Sequence, residues 1–293
     1  MSIKNIRIIT PSWLVKSRKE LALGVKTLER LGFTVKNGGF TAKLPSEKER
    51  AAQIHAAFKD KATDLILAQR GGYSSLRILP YIDYALIKRN RKPIAGFSDM
   101  STLLNSIYER TGMVTLHAPM LWNLSEPTTF TMNSFLNALD GFPNRELFSE
   151  APVNVLKPGK ASGTLKCGNL VTLTSMTGTE WEINTDGTIL FLEDIDEKPH
   201  QIDRWLSQWI LNGKFKKVNG LILGDFRGTE TAQVFKVLTS QLKLKIPVVH
   251  CPYIGHVKNK ITLPVGAKVT LDTARASLLV TGPSPILPSR QAK

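Results

Sequence analysis

Short apolar runs alternate with amphipathic stretches along the first half of the chain. The runs have the length of buried strands, and they lie at 6–10, 33–36, 64–68, 93–97 and 113–117. Stretches with helical spacing of apolar residues separate them at 19–31, 46–58 and 101–108. Because strands that alternate with helices form parallel sheets covered by helices, this half is predicted to be an α/β domain.

One predicted helix has a clear start signal. Ser46-Glu47-Lys48-Glu49 is a capping box, in which the Ser46 hydroxyl and the Glu49 carboxylate each satisfy a backbone N–H at the helix N-terminus. We therefore expect a helix to begin directly after Ser46 and to continue to Phe58.

The second half follows a stretch without sustained periodicity at 141–163, which is predicted to connect two domains. We place the boundary at residue 155, which gives domains 1–155 and 156–293. The elements predicted beyond it are strands at 188–193, 221–224 and near Val248 and Val269, and helices at 201–212 and 231–242. This half is therefore mixed α/β as well, with more strand toward its end.

Composition fits a globular protein of two domains. The 293 residues are 42% hydrophobic and 22% charged, and no apolar run approaches the length of a transmembrane helix. The first residues lead straight into a strand without the apolar region of a signal peptide, so a cytoplasmic location is expected. Cys167 and Cys251 lie far apart and in no metal-binding spacing, which predicts structural thiols, with no disulfide and no metal site.

The net charge of +15 raises the question of a nucleic-acid partner. The basic residues are spread along the chain, with short clusters only at 88–92 and 214–217, and no basic stripe is interleaved with aromatic residues. A solvated basic surface is the interpretation that this distribution favours, with attraction of an acidic small molecule as the alternative.

Ser98 occupies the position where a strand is predicted to turn into a helix. A serine on such a turn presents its hydroxyl above the sheet, beside the free amides of the helix N-terminus that stabilise an oxyanion. In the alternative interpretation, Ser98 or Asp99 only caps the helix.

Three further places contain the residue types that a serine nucleophile needs. Gly71-Gly72 follows a strand and could turn backbone N–H groups toward a ligand, although two glycines also fit an ordinary tight turn. Glu193 ends an apolar run, where a carboxylate needs a partner, but it also begins an acidic cluster that could complement a helix dipole. His256 lies on a loop after Gly255, and a loop histidine is more often a surface residue.

Together these residues are compatible with one reaction. Ser98 would be the nucleophile, His256 its general base, and Glu193 the group that orients the imidazole and stabilises its charged form. The amides of Gly72 and Asp99 would form the oxyanion hole.

These segments resemble the LD-carboxypeptidases, a family of serine peptidases that includes murein tetrapeptide carboxypeptidases. The matching motifs occur in the family's order at 70–74, 96–99, 163–170, 192–199 with 202–204, and 255–256 with 263–266. The resemblance implies an N-terminal Rossmann-like domain with a parallel sheet and a C-terminal β-barrel-like α/β domain. It also implies an active site in the groove between them, a homodimer, and no cofactor or metal.

The resemblance assigns the nucleophile to Ser98, the acid to Glu193, the base to His256 and the oxyanion hole to Gly72 and Asp99. The implied reaction removes the terminal D-alanine from a murein tetrapeptide during cell-wall recycling, through an acyl-enzyme. A carboxypeptidase must recognise a free terminus, so Arg70 or Arg204 is a candidate to bind a substrate carboxylate, with a structural salt bridge as the alternative for each.

Two positions depart from the family pattern, since Cys167 and Ser74 stand where glycine is usual or common. Both raise doubt about the local backbone rather than the reaction. Two other functions are alternatives. One is a microcin-immunity-type hydrolase of peptidyl or aminoacyl nucleotides, whose members tend to be longer. The other is a non-catalytic nucleotide or nucleic-acid binding protein, which the lack of a Gly-x-Gly-x-x-Gly after the first strand disfavours.

Overall fold

A computed structural model describes residues 3–15, 17–36, 43–142 and 144–281. Its strands are β1 (Asn5–Ile9), β2 (Thr34–Lys36), β3 (Leu65–Ala68), β4 (Ile94–Gly96), β5 (Thr115–His117), β6 (Asn154–Lys157), β7 (Lys160–Asn169), β8 (Thr188–Ile195), β9 (Gly220–Arg227), β10 (Val248–His250), β11 (Leu263–Val265), β12 (Lys268–Asp272) and β13 (Ser277–Val280). Its helices are α1 (Arg18–Arg30), α2 (Glu47–Lys59), α3 (Tyr84–Arg89), α4 (Ser101–Thr111), α5 (Thr129–Leu139), α6 (Leu170–Thr174), α7 (Pro199–Leu211) and α8 (Thr231–Gln241).

The first sheet has the strand order β11-β5-β4-β3-β1-β2. Strands β1 to β5 are parallel to their neighbours, as crossover helices require, and β11 joins the edge antiparallel to β5. In the pairing of β3 with β4, Ile66 lies opposite Ile94 and Leu67 opposite Ala95. The loops that follow these two strands therefore leave the sheet side by side.

The second sheet has the strand order β13-β12-β7-β8-β9-β10-β6. Its centre, β7 to β10, is parallel, and the edge strands β6, β12 and β13 are antiparallel. The sheet is curled, and the fold class predicted from the sequence is confirmed. The central strand β8 is buried along almost its whole length, with seven of its eight residues buried.

The two sheets share an apolar core. One continuous buried cluster includes Leu67 and Leu116 from the first sheet and Ile189, Phe191 and Ile222 from the second. Burial of these side chains supplies the main favourable free energy of folding and fixes the two sheets against each other. The carboxyl ends of β3 and β4 thereby come to lie near those of β7, β8 and β9.

Most of the predicted elements exist, and the capping box of Ser46 and Glu49 is present with both of its hydrogen bonds. The irregular segment predicted at 141–163 is wrong in its second part, because β6 and the start of β7 lie within it. β6 is an edge strand with two exposed and two half-buried residues, so its sequence lacks the apolar alternation of a buried strand.

The predicted domain boundary at residue 155 stays a prediction, and residues 282–293 of the second predicted domain lie outside the described residues. β11 belongs to the second half of the chain but to the first sheet. Cys251 is a buried free thiol, and burial raises its pKa to about 12. None of the helices in the described ranges combines the length and apolar character needed to cross a bilayer.

Candidate active site

Ser98 lies on a sharp turn between β4 and α4. Phe97 is extended, Ser98 has φ 64°, and a single 3₁₀ turn from Ser98 to Met100 leads into the helix. A left-handed conformation costs a residue with a side chain about 1–3 kcal/mol, so the surrounding packing must hold Ser98 in place. The turn is close-packed, since a Cβ on Gly96 would lie 2.8 Å from Met100 Cγ.

The structure brings Ser98, His256 and Glu193 into one hydrogen-bonded series. Ser98 Oγ lies 3.0 Å from His256 Nε2, and His256 Nδ1 lies 2.8 Å from Glu193 Oε2. Glu193 is fully buried, and 15% of the His256 side chain is exposed. Neither Ser98 nor Asp99 makes a side-chain cap for the turn or for α4, so the capping alternative is wrong.

A β-bulge aims Glu193 at the imidazole. The pairing of β8 with β9 shifts register between Leu192 and Asp194, because β9 has one extra residue there. Glu193 lies beside this bulge. Two glycines leave space for the Glu193 side chain. A Cβ on Gly224 would lie 3.0 Å from Glu193 Cβ, and a Cβ on Gly255 would lie 3.0 Å from Glu193 Oε2. Gly255 also has φ +115°, which only glycine adopts without strain.

The neighbouring carboxylate, Asp194, has a structural partner instead. It accepts a hydrogen bond from the amide of Val171 at 2.9 Å, at the start of α6. Burial raises the pKa of Asp194 to about 7, and the charge of Glu193 adds to the increase. Only the first residue of the acidic cluster therefore contacts His256.

Gly71 packs closely against Ser98, and Gly72 packs closely against Trp13. A Cβ on Gly71 would lie 3.0 Å from Ser98 Cβ and 3.2 Å from its Oγ, so the Gly71 backbone faces the serine hydroxyl directly. Gly72 has φ +122°, and a Cβ there would lie 2.5 Å from Cβ of Trp13. A residue with a side chain at Gly72 would therefore displace both its own backbone and Trp13.

The Asp99 carboxylate, which the sequence interpretation did not use, ties the glycine loop to the turn. It accepts hydrogen bonds from the Ser12 hydroxyl at 2.5 Å and from the Ser75 amide at 2.9 Å. The Ser75 hydroxyl in turn donates to the Asp99 carbonyl. Burial raises the pKa of Asp99, while the hydrogen bonds from Ser12 and Ser75 oppose that increase. Three loops are thus held at fixed positions around the serine.

The unusual serine at position 74 has a structural role. Ser74 has φ 85°, the conformation that explains why glycine is common here. Its hydroxyl accepts a hydrogen bond at 2.9 Å from the guanidinium of Arg50, which is 1% exposed and also donates to the Pro11 carbonyl. The side chain at Cys167, the other departure, lies outside what the structure describes.

The two predicted carboxylate-binding arginines lie in different surroundings. Arg70 is next to Gly71, donates to the Leu14 carbonyl at 2.9 Å and lies 5.9 Å from the ring centroid of Trp122. Arg204 is exposed on α7, and the structure gives it no contact with Ser98 or His256. Binding of a substrate carboxylate by either residue stays a prediction.

Two buried cationic or titratable side chains near the serine were not foreseen. The His117 ring lies 5.6 Å from the Phe97 ring, and burial lowers the pKa of His117 to about 3. The Lys260 ammonium lies 4.5 Å from the Phe97 ring centroid. A sequence signal existed for Lys260 alone, since it follows His256 by four residues on one loop.

Comparison with known proteins finds two matching family profiles and many relatives. The sequence profile of the LD-carboxypeptidase N-terminal domain matches residues 6–118, and that of the C-terminal domain matches residues 162–271. A probable murein peptide carboxypeptidase of Bacillus subtilis strain 168 is 34% identical over 288 residues, which cover 89% of this chain and 87% of that protein.

Two further matches are to proteins whose names give different functions. The microcin C7 self-immunity protein MccF of Escherichia coli is 31% identical over 309 residues, which cover 91% of this chain and 89% of that protein. A crystal structure of muramoyltetrapeptide carboxypeptidase from Oxalobacter formigenes superposes with a TM-score of 0.85 at 29% identity, covering 96% of this chain and all of that one.

Proposed function

Because the chain belongs to the LD-carboxypeptidase family, we propose that it is a serine carboxypeptidase that removes the terminal D-alanine from murein tetrapeptides. The observation that carries this proposal is the unbroken series of contacts from Ser98 Oγ through His256 to the buried Glu193. Serine is a weak nucleophile unless an adjacent imidazole accepts its proton, and this arrangement supplies that base.

In the proposed reaction, His256 Nε2 takes the Ser98 proton as Oγ attacks the carbonyl carbon of the bond to D-alanine. Glu193 holds Nδ1 protonated and stabilises the imidazolium. His256 then protonates the departing amine, which leaves Ser98 acylated by the remaining tripeptide. Water, deprotonated by the same imidazole, hydrolyses the ester and restores the free serine.

The negative oxygen of each tetrahedral intermediate needs donors at about 2.7–3.1 Å. We assign this role to the amides of Gly72 and Asp99. The tight contact of Gly71 with Ser98 and the hydrogen bonds of the Asp99 carboxylate support the assignment, because they hold both amide-bearing segments rigidly beside Oγ. Arg70, one residue from Gly71, is the better placed of the two arginines to bind a substrate carboxylate.

Cell-wall recycling implies a cytoplasmic reaction, and the resemblance implies a homodimer; both belong to the proposal. The second candidate function is hydrolysis of a peptidyl or aminoacyl nucleotide, which the similarity to MccF favours. A protein that only binds nucleotides or nucleic acid would not need a fully buried carboxylate bonded to a histidine that contacts a serine.

Mass spectrometry of a murein tetrapeptide incubated with the protein tests the proposal. We expect the wild type to release one alanine and Ser98→Ala to release none, because loss of a serine nucleophile reduces kcat by a factor on the order of 10⁶. Ser240→Ala, on the exposed surface of α8, is the matched control and should retain full activity. A Ser98→Ala variant that still releases alanine would refute the assigned nucleophile.

The same assay separates the alternatives. Cleavage of an aminoacyl sulfamoyl-adenylate without release of alanine would support the microcin-immunity type. Salt-sensitive retention on DNA without either hydrolysis would support the binding protein.

A further inference from the structure

Lys260 is a buried lysine beside the triad that has no role in the proposed reaction. It is 7% exposed, and its ammonium lies 4.5 Å from the ring centroid of Phe97. Within the described ranges, no carboxylate lies within ion-pair distance of this ammonium, and no acceptor is recorded for it. A desolvated cation without an anionic partner is costly, and such groups concentrate at functional sites.

The fold holds Lys260 firmly in this position. Its amide donates to the Thr131 hydroxyl at 3.0 Å, and the same hydroxyl donates to the carbonyl of Lys258 at 2.9 Å. Both hydrogen bonds therefore tie this loop to α5. The next amide, of Ile261, donates to the Tyr253 carbonyl at 2.9 Å. The lysine is therefore part of a fixed loop.

Two titratable groups act on the ammonium, Glu193 and His117, and neither of them neutralises it. The charge of Glu193 attracts the ammonium from a distance, but Glu193 Oε2 is hydrogen-bonded to His256. The ring of His117 is neutral, because burial lowers its pKa to about 3. Burial also lowers the pKa of Lys260 to about 8, so the side chain still carries its charge at neutral pH.

The packing of Lys260 relates it to the leaving group of the proposed reaction. Its ammonium and the His256 ring both pack on Phe97, with the two rings 4.9 Å apart. His256 must protonate the departing nitrogen, and in a C-terminal residue the carbon bonded to that nitrogen carries the free carboxylate. A cation that packs on the same ring as His256 is therefore a candidate to meet that carboxylate.

We propose that Lys260 binds the terminal carboxylate of the substrate and thereby restricts cleavage to peptides with a free carboxyl end. This inference rests on the proposed function, because it takes the substrate to be a peptide that ends in a carboxylate. It leaves Arg70, on the glycine-loop side, for another acidic group of the substrate.

The experiment compares two substrates, a murein tetrapeptide ending in D-alanine and the same peptide ending in D-alanine amide. We expect Lys260→Met to lower kcat/KM for the acid by about ten- to a hundredfold, the size of one charge-assisted hydrogen bond, and to leave the amide unchanged. Lys258→Met removes the same charge from an exposed position on the same loop and should alter neither value. Equal losses on both substrates would overturn the proposal, because Lys260 would then act on the triad.

Two measurements keep the test independent of folding. Removing an unpartnered buried charge should not lower the melting temperature, so Lys260→Met is expected to melt at or above the wild-type temperature. In the wild type, the ratio of kcat/KM for the acid to that for the amide should fall as pH rises through about 8, because Lys260 then loses its proton while pH effects common to both substrates cancel in the ratio. A ratio that stays constant through this range would also overturn the proposal. A wild type that cleaves neither peptide would instead refute the proposed function.

Discussion

Gly71→Ala tests how precisely the glycine loop confines the nucleophile. Gly71 does not adopt a positive φ, so its backbone accepts an alanine. The new methyl group would lie 3.0 Å from Ser98 Cβ, 3.2 Å from Ser98 Oγ and 3.4 Å from Met120 Cε. Because these contacts are tighter than normal packing, the serine must move by a few tenths of an ångström.

The effect on stability should be small. Replacing glycine with alanine stabilises a protein by about 0.4–1 kcal/mol when the backbone is compatible, because the unfolded chain loses freedom. Mild overpacking costs a similar amount, about 1 kcal/mol at the low end of its range. We therefore expect the free energy of unfolding to change by less than about 1 kcal/mol.

The effect on catalysis should be large. The Ser98 hydroxyl is already 3.0 Å from the imidazole, and Ser98 cannot relax easily because its backbone is held at φ 64°. Small misplacements of reacting groups cost up to about a hundredfold, so kcat/KM for alanine release should fall by about ten- to a hundredfold.

Initial rates of alanine release and urea unfolding of the same preparations check this prediction. Gly72→Ala is the contrasting variant, since its φ of +122° and the 2.5 Å contact with Trp13 should lower stability and activity together. Our reasoning would be refuted if Gly71→Ala kept wild-type kcat/KM, or if it lost as much stability as Gly72→Ala.

Two further predictions concern residues around the site. Ser74→Gly relieves about 1 kcal/mol of backbone strain but removes a charge-assisted hydrogen bond to the buried Arg50, worth about 1.5–3 kcal/mol, so urea denaturation should show a net loss of about 1 kcal/mol. A more stable variant would contradict that balance. Asp194 has a folded-state pKa of about 7, above its unfolded value, so its proton stabilises the native state and stability falls as pH rises from about 4 through about 7. Asp194→Asn should flatten this fall when unfolding is measured at several pH values, and an unchanged slope would count against it.

The elements that the sequence predicted well are those whose signal is local. The capping box of Ser46 and Glu49, the apolar run of β3 and the strand-to-helix turn at Ser98 are each encoded in a few consecutive residues. β6 and β13 were missed because they are short and pair at sheet edges, where pairing does not require a distinctive sequence.

The residues of the candidate site also differ in whether a local sequence signal identifies them. Ser98, Gly72 and Asp99 could be identified because each lies in the segment after the carboxyl end of a strand, where α/β sheets bind ligands. The grouping of Ser98 with Glu193 and His256 was a hypothesis about three distant segments, and the family motifs strengthened it. Lys260, His117 and the Asp99 carboxylate bonds were not predicted. Lys260 follows His256 on one loop, but nothing in the residues next to these side chains indicates what they contact.

The sequence by itself determined the alternation of strands and helices in the first half of the chain, the family, and which serine lies on the sharp turn. Only the tertiary structure decided that His256 reaches Ser98, 158 positions away, and that Glu193 reaches His256, 63 positions away. The physical reason is that periodicity constrains the conformation of neighbouring residues, whereas these contacts depend on sheet register. A bulge in β9 and glycines at 224 and 255 set that register and make space for a buried carboxylate.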